Sequence, residues 1–328
     1  MAAATAAVNL EPPVTASASS HTAAPVRPAA SLSDAIGNTP LVELSRFGRG
    51  AARIVAKLEW FNPGGSVKDR IARAMIDDAE RRGLLRPGGT IVEPTSGNTG
   101  VALAMLAAAR GYRCVVVMPE GYGQVKSKLM AGFGAEVVRT PADARMRGAI
   151  ERARAIATQT PGAYLPNQFA NPINPQTHFE TTGPEIARAL GGGIDAWVAG
   201  VGTTGTFVGV ARYLTGRIPN LLRAAVEPQG SILGGGPPGD HKVEGVGLSF
   251  FPEILDRGVI DEVVTIPDAE AFDACRRLAR EEGLLAGGSS GLAAAAALRV
   301  AKRLGPGKTV VTLFPDGAER YPGQGILE

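Results

Sequence analysis

From residue 52 onward, short apolar runs alternate with longer segments whose apolar residues recur at helical spacing. The segment near 66–82 places Val67, Ile71 and Met75 on one face, and Gly83 follows where a helix would end. A second helix is predicted near Asn98–Arg110. The strand-like runs are ARIVAKLEW, TIVEP, RCVVVMP, AEVVRT, IDAWVAGV, LRAAVEP and KTVVTLFP. This alternation predicts an α/β fold with mostly parallel sheets covered by helices.

Three glycine-rich segments each lie between a strand-like run and a helical pattern. They are FNPGGSVKDR (Phe61 to Arg70), EPTSGNTG (Glu93 to Gly100) and GVGTTGT (Gly200 to Thr206). Ligands of open α/β sheets bind at the carboxyl ends of the strands, so we expect the three segments to share one site. The glycine pair before Lys68 presents one amine at a helix start, which suggests a Schiff base. An isolated lysine is more often a solvated surface charge, so the other two loops are needed for this hypothesis.

Length and composition indicate an ordinary globular protein. The chain has 328 residues, of which 45% are hydrophobic and 20% charged, enough for about two domains. Residues 1–31 form an Ala/Pro/Ser-rich segment with only Glu11 and Arg27 charged, and we predict a disordered tail there. Residues 32–165 are predicted to form an N-terminal α/β domain that carries Lys68, and residues 166–328 a C-terminal α/β domain that carries the last glycine loop.

Charge and residue counts exclude several function classes. The formal net charge is +3, from 34 basic and 31 acidic residues in mixed order, so no nucleic-acid partner is expected. Only Cys114 and Cys275 are present, which excludes a disulfide framework and favours buried thiols. His21, His178 and His241 are too dispersed for a metal site. No apolar run reaches the ~20 residues of a membrane span and no targeting signal is evident, so a cytoplasmic location is expected.

The third loop also matches a dinucleotide fingerprint. Gly200, Gly202 and Gly205 spell GxGxxG between a strand and a helix, and Glu227 lies near the end of the next strand. An NAD-dependent oxidoreductase is therefore an alternative. Backbone amides at a helix N-terminus hold any phosphate, however, and the threonines of this loop suit a compact phosphate monoester. The dinucleotide interpretation also leaves Lys68 unexplained.

Six motifs occur in the order found in the cysteine synthase and cystathionine β-synthase family. They are FNPGGSVKDR, EPTSGNTG, PNQFANPINPQTHFETTGPEI, AGVGTTGT, EEGLLAGGSSG and FPDGAERY. The chain resembles this family over roughly residues 33–325. The resemblance implies a pyridoxal 5'-phosphate enzyme of fold type II, similar to tryptophan synthase β, with two three-layer αβα domains. It also implies replacement of the β-substituent of an activated L-serine.

The resemblance assigns the coenzyme-binding residues. Lys68 matches the lysine that forms the internal aldimine and then acts as base for the α-proton. Asn98 matches the residue that hydrogen-bonds the coenzyme's ring oxygen, and Ser289 the residue that faces the pyridine nitrogen. A hydroxyl at the pyridine nitrogen does not force protonation of the ring, which suits β-elimination. The phosphate cup would consist of Gly202, Thr203, Thr204, Gly205 and Thr206.

A second set of residues resembles the family's substrate-carboxylate site, formed by Thr95, Ser96, Gly97, Thr99 and Gln168. A purely structural alternative is that Ser96 or Asn98 caps one helix and Ser289 another. Asp69 and Arg70 are expected to form a cap and an ion pair, and His178 to be a packing residue.

The implied reaction is β-replacement through an aminoacrylate that accepts sulfide or a thiol. O-acetylserine plus sulfide, giving L-cysteine and acetate, is the main expectation, because the chain shows no haem-binding extension or regulatory C-terminal module. Cystathionine β-synthase activity with homocysteine is the alternative, since bacterial-type cystathionine enzymes also lack both. Serine and O-phosphoserine are other possible donors. A homodimer is implied, serine acetyltransferase is a candidate partner through its C-terminal tail, and a non-catalytic scaffold that binds such a tail is a further hypothesis.

Two segments depart from the family pattern. The phosphate loop usually reads GTGGT, so Thr204 replaces a glycine and is expected to crowd or retune the loop. The segment GYGQVKSKL lacks the Ser followed by Glu and Arg or Lys that is common there. We expect both departures to bear on substrate choice.

Overall fold

The computed structural model describes residues 28–326. The predicted disordered tail, residues 1–31, therefore lies outside the described residues except for its last four. Within the described part the β-strands are β1 (Leu41–Glu43), β2 (Arg53–Leu58), β3 (Thr90–Pro94), β4 (Arg113–Pro119), β5 (Glu136–Thr140), β6 (Ala196–Gly200), β7 (Leu222–Pro228), β8 (Glu262–Ile266) and β9 (Thr309–Phe314).

The α-helices of this part are α1 (Lys68–Arg81), α2 (Asn98–Arg110), α3 (Gln124–Gly132), α4 (Arg145–Gln159), α5 (Ile173–Thr177), α6 (Gly183–Leu190), α7 (Gly205–Thr215), α8 (Asp268–Arg277) and α9 (Gly288–Leu304). Two π-helical turns, His178–Thr182 and Leu278–Glu282, continue α5 and α8. Short 3₁₀ turns occupy Leu32–Ala35, Glu59–Phe61, Ala142–Ala144, Arg257–Val259 and Ala318–Arg320.

The strands form two sheets, and all pairs but one are parallel. The larger sheet has the order β1-β2-β9-β6-β7-β8, with only the β1–β2 pair antiparallel, and the smaller sheet has the order β3-β4-β5. Tyr164 extends the smaller sheet by one position through two backbone hydrogen bonds with β3, Val92 N to Tyr164 O at 2.9 Å and Tyr164 N to Thr90 O at 2.8 Å.

Each sheet is buried on both faces, because successive strand residues point to opposite sides. In the smaller sheet Ile91 packs with α1 and α2, whereas Val92 packs with Ala149 and Ala153 of α4. In the larger sheet Val310 faces the core formed with α8 and α9, and its neighbour on the strand faces the core formed with α6 and α7. The predicted α/β class with two three-layer arrangements is confirmed.

The division into domains at residue 165 stays a prediction. Strands β1 and β2 fall within the predicted N-terminal domain but pair in the sheet of the C-terminal strands, because β2 lies beside β9. The chain leaves the larger sheet after Leu58 and returns to it at Ala196. Cys114 and Cys275 are both buried, in different cores. None of the helices within residues 28–326 combines the length and apolar character needed to cross a bilayer.

Candidate active site

Lys68 is the first residue of α1 and is half-buried beside a cavity. Two hydrogen bonds fix the preceding turn: Gly64 N donates to Asp69 Oδ2 at 2.5 Å, and Val67 N donates to Pro315 O at 2.9 Å. Gly65 has φ +74°, a conformation that a side chain disfavours. Asp69 therefore closes the turn before the helix. The N-cap of α1 is Val67 and no side chain caps this helix, so the predicted cap role of Asp69 is wrong.

A buried network of charges anchors this turn to its surroundings. Arg70 Nε donates to Glu59 Oε2 at 2.7 Å, and Arg70 Nη2 donates to Glu185 Oε2 at 2.7 Å. Lys57 Nζ lies 2.8 Å from the same Glu185 oxygen. The network thus contains two cations, Lys57 and Arg70, and two anions, Glu59 and Glu185. Their mutual attraction offsets the free-energy cost of burying these charges. The predicted ion-pair role of Arg70 is confirmed, and the network holds the start of α1 against β2 and α6.

The electrostatic surroundings make Lys68 easier to deprotonate than an ordinary lysine. Burial disfavours the ammonium form and lowers the pKa of Lys68, while the carboxylates of Asp316 and then Glu59 oppose this shift. An amine with a lowered pKa is suited to act as a nucleophile or base near neutral pH.

Residues 95–97 connect β3 to α2, and Asn98 and Thr99 are the first two residues of this helix. The N-cap of α2 is Gly97 and no side chain caps the helix, so the structure does not support the capping alternative for Ser96 or Asn98. Thr99 Oγ1 instead donates to Gln168 Oε1 at 2.7 Å, which joins two of the predicted substrate residues.

The buried carboxylate of Glu93 fixes the backbone at Gln168. Glu93 accepts hydrogen bonds from the backbone N–H groups of Asn167 at 2.8 Å and Gln168 at 3.2 Å. Burial raises the pKa of Glu93 to about 7, against the stabilising effect of these two donors.

Asn98 uses both ends of its amide within the protein. Its Nδ2 donates to Asp316 Oδ2 at 2.5 Å, and its Oδ1 accepts from Arg320 Nη1 at 2.9 Å. An amide nitrogen carries two hydrogens, so one donor position of Asn98 is left for a ligand. The sequence did not anticipate this arrangement, because the partners lie more than 200 residues away.

The segment between β6 and α7 forms a cup of backbone and hydroxyl groups. Thr204 is the N-cap of α7 and adopts φ +71°, and its Oγ1 is buried with no partner within the described structure. A Cβ on Gly202 would lie 2.5 Å from Gly245 O, so only glycine fits. Gly205 packs against Asn174, whose Nδ2 donates to the hydroxyl of Thr203 at 3.3 Å.

His178 lies behind this cup. Its Nε2 is 3.1 Å from Thr206 Oγ1, and its Nδ1 is 2.9 Å from Thr182 Oγ1. Burial lowers the pKa of His178 to about 3, and the positive charges of Arg70 and Lys68 contribute, so the ring is neutral near pH 7. His178 is thus a buried packing residue, as predicted, with a hydrogen bond to the cup in addition.

Ser289 lies in the first turn of α9 and is 3% exposed. The N-cap of α9 is Gly287 and no side chain caps this helix, so the capping alternative for Ser289 fails as well. Asp316 O accepts from Gly287 N at 3.0 Å and from Ser290 Oγ at 3.3 Å, which ties the helix start to the segment after β9.

These loops enclose one cavity of about 330 Å³ at the carboxyl ends of strands from both sheets. Every predicted site residue except Gly205 lines it: Lys68, Thr95, Ser96, Gly97, Asn98, Thr99, Gln168, Gly202, Thr203, Thr204, Thr206 and Ser289.

The cavity wall also contains polar residues that were not predicted as site residues: Tyr122, Lys126, His241, Glu244, Ser249, Asp316 and Tyr321. Lys126 Nζ lies 2.6 Å from Glu244 Oε2 and 4.0 Å from the centre of the Tyr321 ring. Motifs quoted above contain Asp316 and Tyr321, in FPDGAERY, so the signal was present for these two.

Glu227, the acidic residue of the dinucleotide fingerprint, has a structural role. Glu227 accepts from the backbone N–H groups of Leu233 at 2.9 Å and Gly234 at 3.0 Å, and from Thr265 Oγ1 at 3.2 Å. It does not line the cavity. Its carboxylate therefore stabilises the loop after β7, which leaves the dinucleotide interpretation without its ribose-binding acid.

Comparison with known proteins gives consistent matches over most of the chain. A probable cysteine synthase of Bacillus subtilis (strain 168) is 50% identical over 297 residues, covering 89% of this chain and 96% of that protein. A cysteine synthase of Staphylococcus aureus (strain N315) is 48% identical over 298 residues, covering 90% and 96%.

Solved structures show the same fold. The O-acetylserine dependent cystathionine β-synthase from Helicobacter pylori superposes with a TM-score of 0.87 at 44% identity, covering 92% of this chain and 100% of that chain. O-ureido-L-serine synthase gives a TM-score of 0.88 at 43% identity, with coverages of 91% and 94%. The family described as pyridoxal-phosphate dependent enzyme matches residues 32–316, and the chain belongs to this family.

Proposed function

We propose that this protein catalyses pyridoxal-phosphate-dependent β-replacement on O-acetylserine, with sulfide as nucleophile and L-cysteine and acetate as products. One observation carries the proposal: Lys68 and the three glycine loops meet in a single cavity, in a chain 50% identical to a probable cysteine synthase. In the alternative of a non-catalytic scaffold, the same cavity would bind a partner's C-terminal tail and catalyse no reaction.

The residues of the cavity fit this coenzyme. The start of α7 offers backbone N–H groups and the positive end of a helix dipole to a phosphate. Thr204 Oγ1 is buried there without a protein partner within residues 28–326, and the glycine at 202 leaves the space that a Cβ would fill. An unsatisfied buried hydroxyl is costly, so a ligand oxygen at this place would offset the cost.

We assign roles to the residues as follows. Lys68 Nζ would hold the coenzyme and take the α-proton of the substrate, Asn98 would use its remaining amide hydrogen on the coenzyme's ring oxygen, and Ser289 would face the ring nitrogen. Bound pyridoxal phosphate supplies the electron sink for negative charge at the α-carbon. The phosphate would be held by Gly202, Thr203, Thr204, Gly205 and Thr206, and the substrate carboxylate by Thr95, Ser96, Gly97, Thr99 and Gln168.

Cystathionine synthesis from homocysteine is the second candidate. It is favoured by the likeness to the O-acetylserine dependent cystathionine β-synthase of Helicobacter pylori, at 44% identity over the whole of that chain. We also propose that the protein forms a homodimer in the cytoplasm and binds the C-terminal tail of serine acetyltransferase.

The proposal is tested by supplying O-acetylserine or serine to the purified protein and then sulfide or homocysteine, while absorbance and products are followed. We expect a colour change with O-acetylserine that sulfide reverses, with release of cysteine. Faster consumption of homocysteine would move the assignment to cystathionine synthesis. A protein that neither takes up pyridoxal phosphate nor forms either product would refute the proposed function.

Lys68→Ala is expected to abolish turnover and borohydride-stable attachment of the coenzyme, while the fold is retained. Lys128→Ala, an exposed lysine on α3, is the matched control and should keep both. Product assays and mass spectrometry after borohydride treatment provide the measurement. Residual covalent attachment at another lysine in the Lys68→Ala protein would contradict the assigned role.

A further inference from the structure

The cavity wall carries two amines and two carboxylates. Lys126 Nζ lies 2.6 Å from Glu244 Oε2, so these two charges neutralise each other. Lys68 and Asp316 are the remaining pair of opposite charges among the lining residues. Glu244 accepts from Gln324 Nε2 as well, at 2.7 Å, so both of its oxygens are engaged away from Lys68.

Backbone pairing brings the segments of Lys68 and Asp316 together. Ser66 forms an isolated antiparallel bridge with Asp316, and Val67 N donates to Pro315 O at 2.9 Å. The residues immediately before the amine are thus paired with the residues that carry the carboxylate. The fold therefore holds the two backbone segments that carry these groups side by side.

The carboxylate of Asp316 is itself fixed. It is 1% exposed, and its Oδ2 accepts from Asn98 Nδ2 and from the hydroxyl of Tyr321, each at 2.5 Å. Its Oδ1 lies against Gly287 at the start of α9, where a Cβ would collide with it. Residues at the starts of two helices, Asn98 of α2 and Gly287 at the N-cap of α9, thus contact this carboxylate, and helix N-termini favour negative charge.

We propose that Asp316 is the counter-ion of Lys68, a positioning residue that acts on the reaction through the charge of that amine. The inference rests on the proposed function, because it matters only if Lys68 accepts a proton during turnover. A buried amine without a counter-ion holds a proton poorly, whereas one beside a fixed carboxylate can accept and retain it.

The electrostatic effects on Lys68 agree with this geometry. Burial lowers the pKa of Lys68, and Asp316 opposes that shift more strongly than Glu59 does. Among the other titratable groups, the positive charge of Lys68 contributes to the lowered pKa of His178, Asp69 and Arg70 follow Lys68 directly on α1, and Arg320 donates to Gly64 O in the turn before it. Removing the charge of Asp316 should lower the pKa of Lys68 further.

The test uses the full-length chain after hydroxylamine treatment and dialysis have removed bound coenzyme and left the Lys68 amine free. Acetylation of Lys68 by acetic anhydride is measured against pH by peptide mass spectrometry, in the unsubstituted protein and in Asp316→Asn. We expect the midpoint of the labelling curve to move to lower pH in Asp316→Asn, with severalfold faster labelling at pH 7. A merely structural role would change labelling at every pH without moving the midpoint.

Glu244→Gln is the matched control, since it neutralises the other carboxylate of the cavity and should leave the Lys68 midpoint in place. An unchanged or higher midpoint in Asp316→Asn would overturn the proposal, as would an equal shift in Glu244→Gln. If Asp316→Asn does not fold, Asp316→Ser is measured in its stead. Because labelling needs neither coenzyme nor turnover, failure of the counter-ion proposal is distinct from failure of the proposed function.

Discussion

Thr204 is a β-branched residue with φ +71°, in the left-handed region that such residues rarely adopt. Its conformation costs on the order of 1–3 kcal/mol, and its buried hydroxyl has no partner within the described residues. The family pattern usually has glycine at this position, because glycine adopts a positive φ without steric strain. Strain of this kind persists where the surrounding structure imposes it. In the proposed function, the strained loop serves to bind the coenzyme phosphate.

Thr204→Gly should therefore raise the unfolding free energy of the coenzyme-free protein by about 1 kcal/mol. Coenzyme affinity should fall, because a hydroxyl donor is lost. Asn220→Gly is the matched control: Asn220 also has positive φ, at +59°, but asparagine tolerates this region, so little change is expected. Urea unfolding and equilibrium dialysis measure the two effects. A less stable Thr204→Gly protein would show that the strain argument is wrong.

His178 gives a pH dependence with a definite sign. Its pKa is lowered to about 3 in the folded protein by burial, whereas an unfolded histidine titrates near its ordinary value of ~6.5. Between these values the unfolded chain binds a proton that the folded chain does not. The contribution of His178 to stability is present above pH ~6.5 and declines by about 1.4 kcal/mol per pH unit as the pH falls toward 3.

Replacing His178 with Asn should flatten this decline, although it also lowers stability at pH 7 by disturbing the contact to Thr206. Urea unfolding at pH 7, 6 and 5 measures the slope for both proteins. An identical slope in the two proteins would show that His178 takes up its proton in the folded state.

At the scale of elements, the start of α1 depends on the buried charges around Arg70. Arg70→Leu would leave Glu59 fully buried with one fewer cation beside it, and breaking a buried pair in this way costs about 3–5 kcal/mol. Arg147→Leu is the control, because its pair with Glu151 is exposed and worth less than about 1 kcal/mol. Thermal and urea unfolding should separate the two variants, and equal losses would contradict the ranking.

Most elements followed from the sequence because their apolar patterns are long and bounded by turns. The runs TIVEP, RCVVVMP and LRAAVEP are β3, β4 and β7 at their observed limits, and α2 spans the predicted residues. Strands β1 and β8 were missed: β1 has three residues, and β8 is a half-exposed edge strand whose pattern is weak. The π-helical turns depend on tertiary contacts that no local pattern encodes.

The predicted site residues except Gly205 line one cavity, as expected, because glycine loops at strand ends can be recognised from the local sequence. Partners brought from far along the chain were not predicted, as with Asp316 beside Asn98 or Glu244 beside Lys126. Each of these contacts joins residues more than 100 positions apart. Periodicity and spacing carry no information about such pairs, and only the sheet order brings them together.

At the scale of the whole molecule, the Lys126–Glu244 pair connects α3, beside the smaller sheet, to the loop after β7 of the larger sheet. Lys126→Met should weaken this contact between two parts of the cavity wall and expose the segment around Gly121 and Gly123 to protease. Lys128→Met on the exposed side of α3 is the control and should leave cleavage unchanged. Limited proteolysis with mapped cleavage sites measures the difference, and equal cleavage would contradict a bridging role.

Strand β9 lies between β2 and β6 in the larger sheet, although it is the last strand in sequence within residues 28–326. During synthesis the larger sheet therefore stays incomplete until residue 314 has left the ribosome, whereas β3, β4 and β5 can pair much earlier. Contacts of such wide sequence separation form slowly and leave strand edges uncovered meanwhile. A nascent chain of this topology would be a natural client for chaperones that shield unpaired strands.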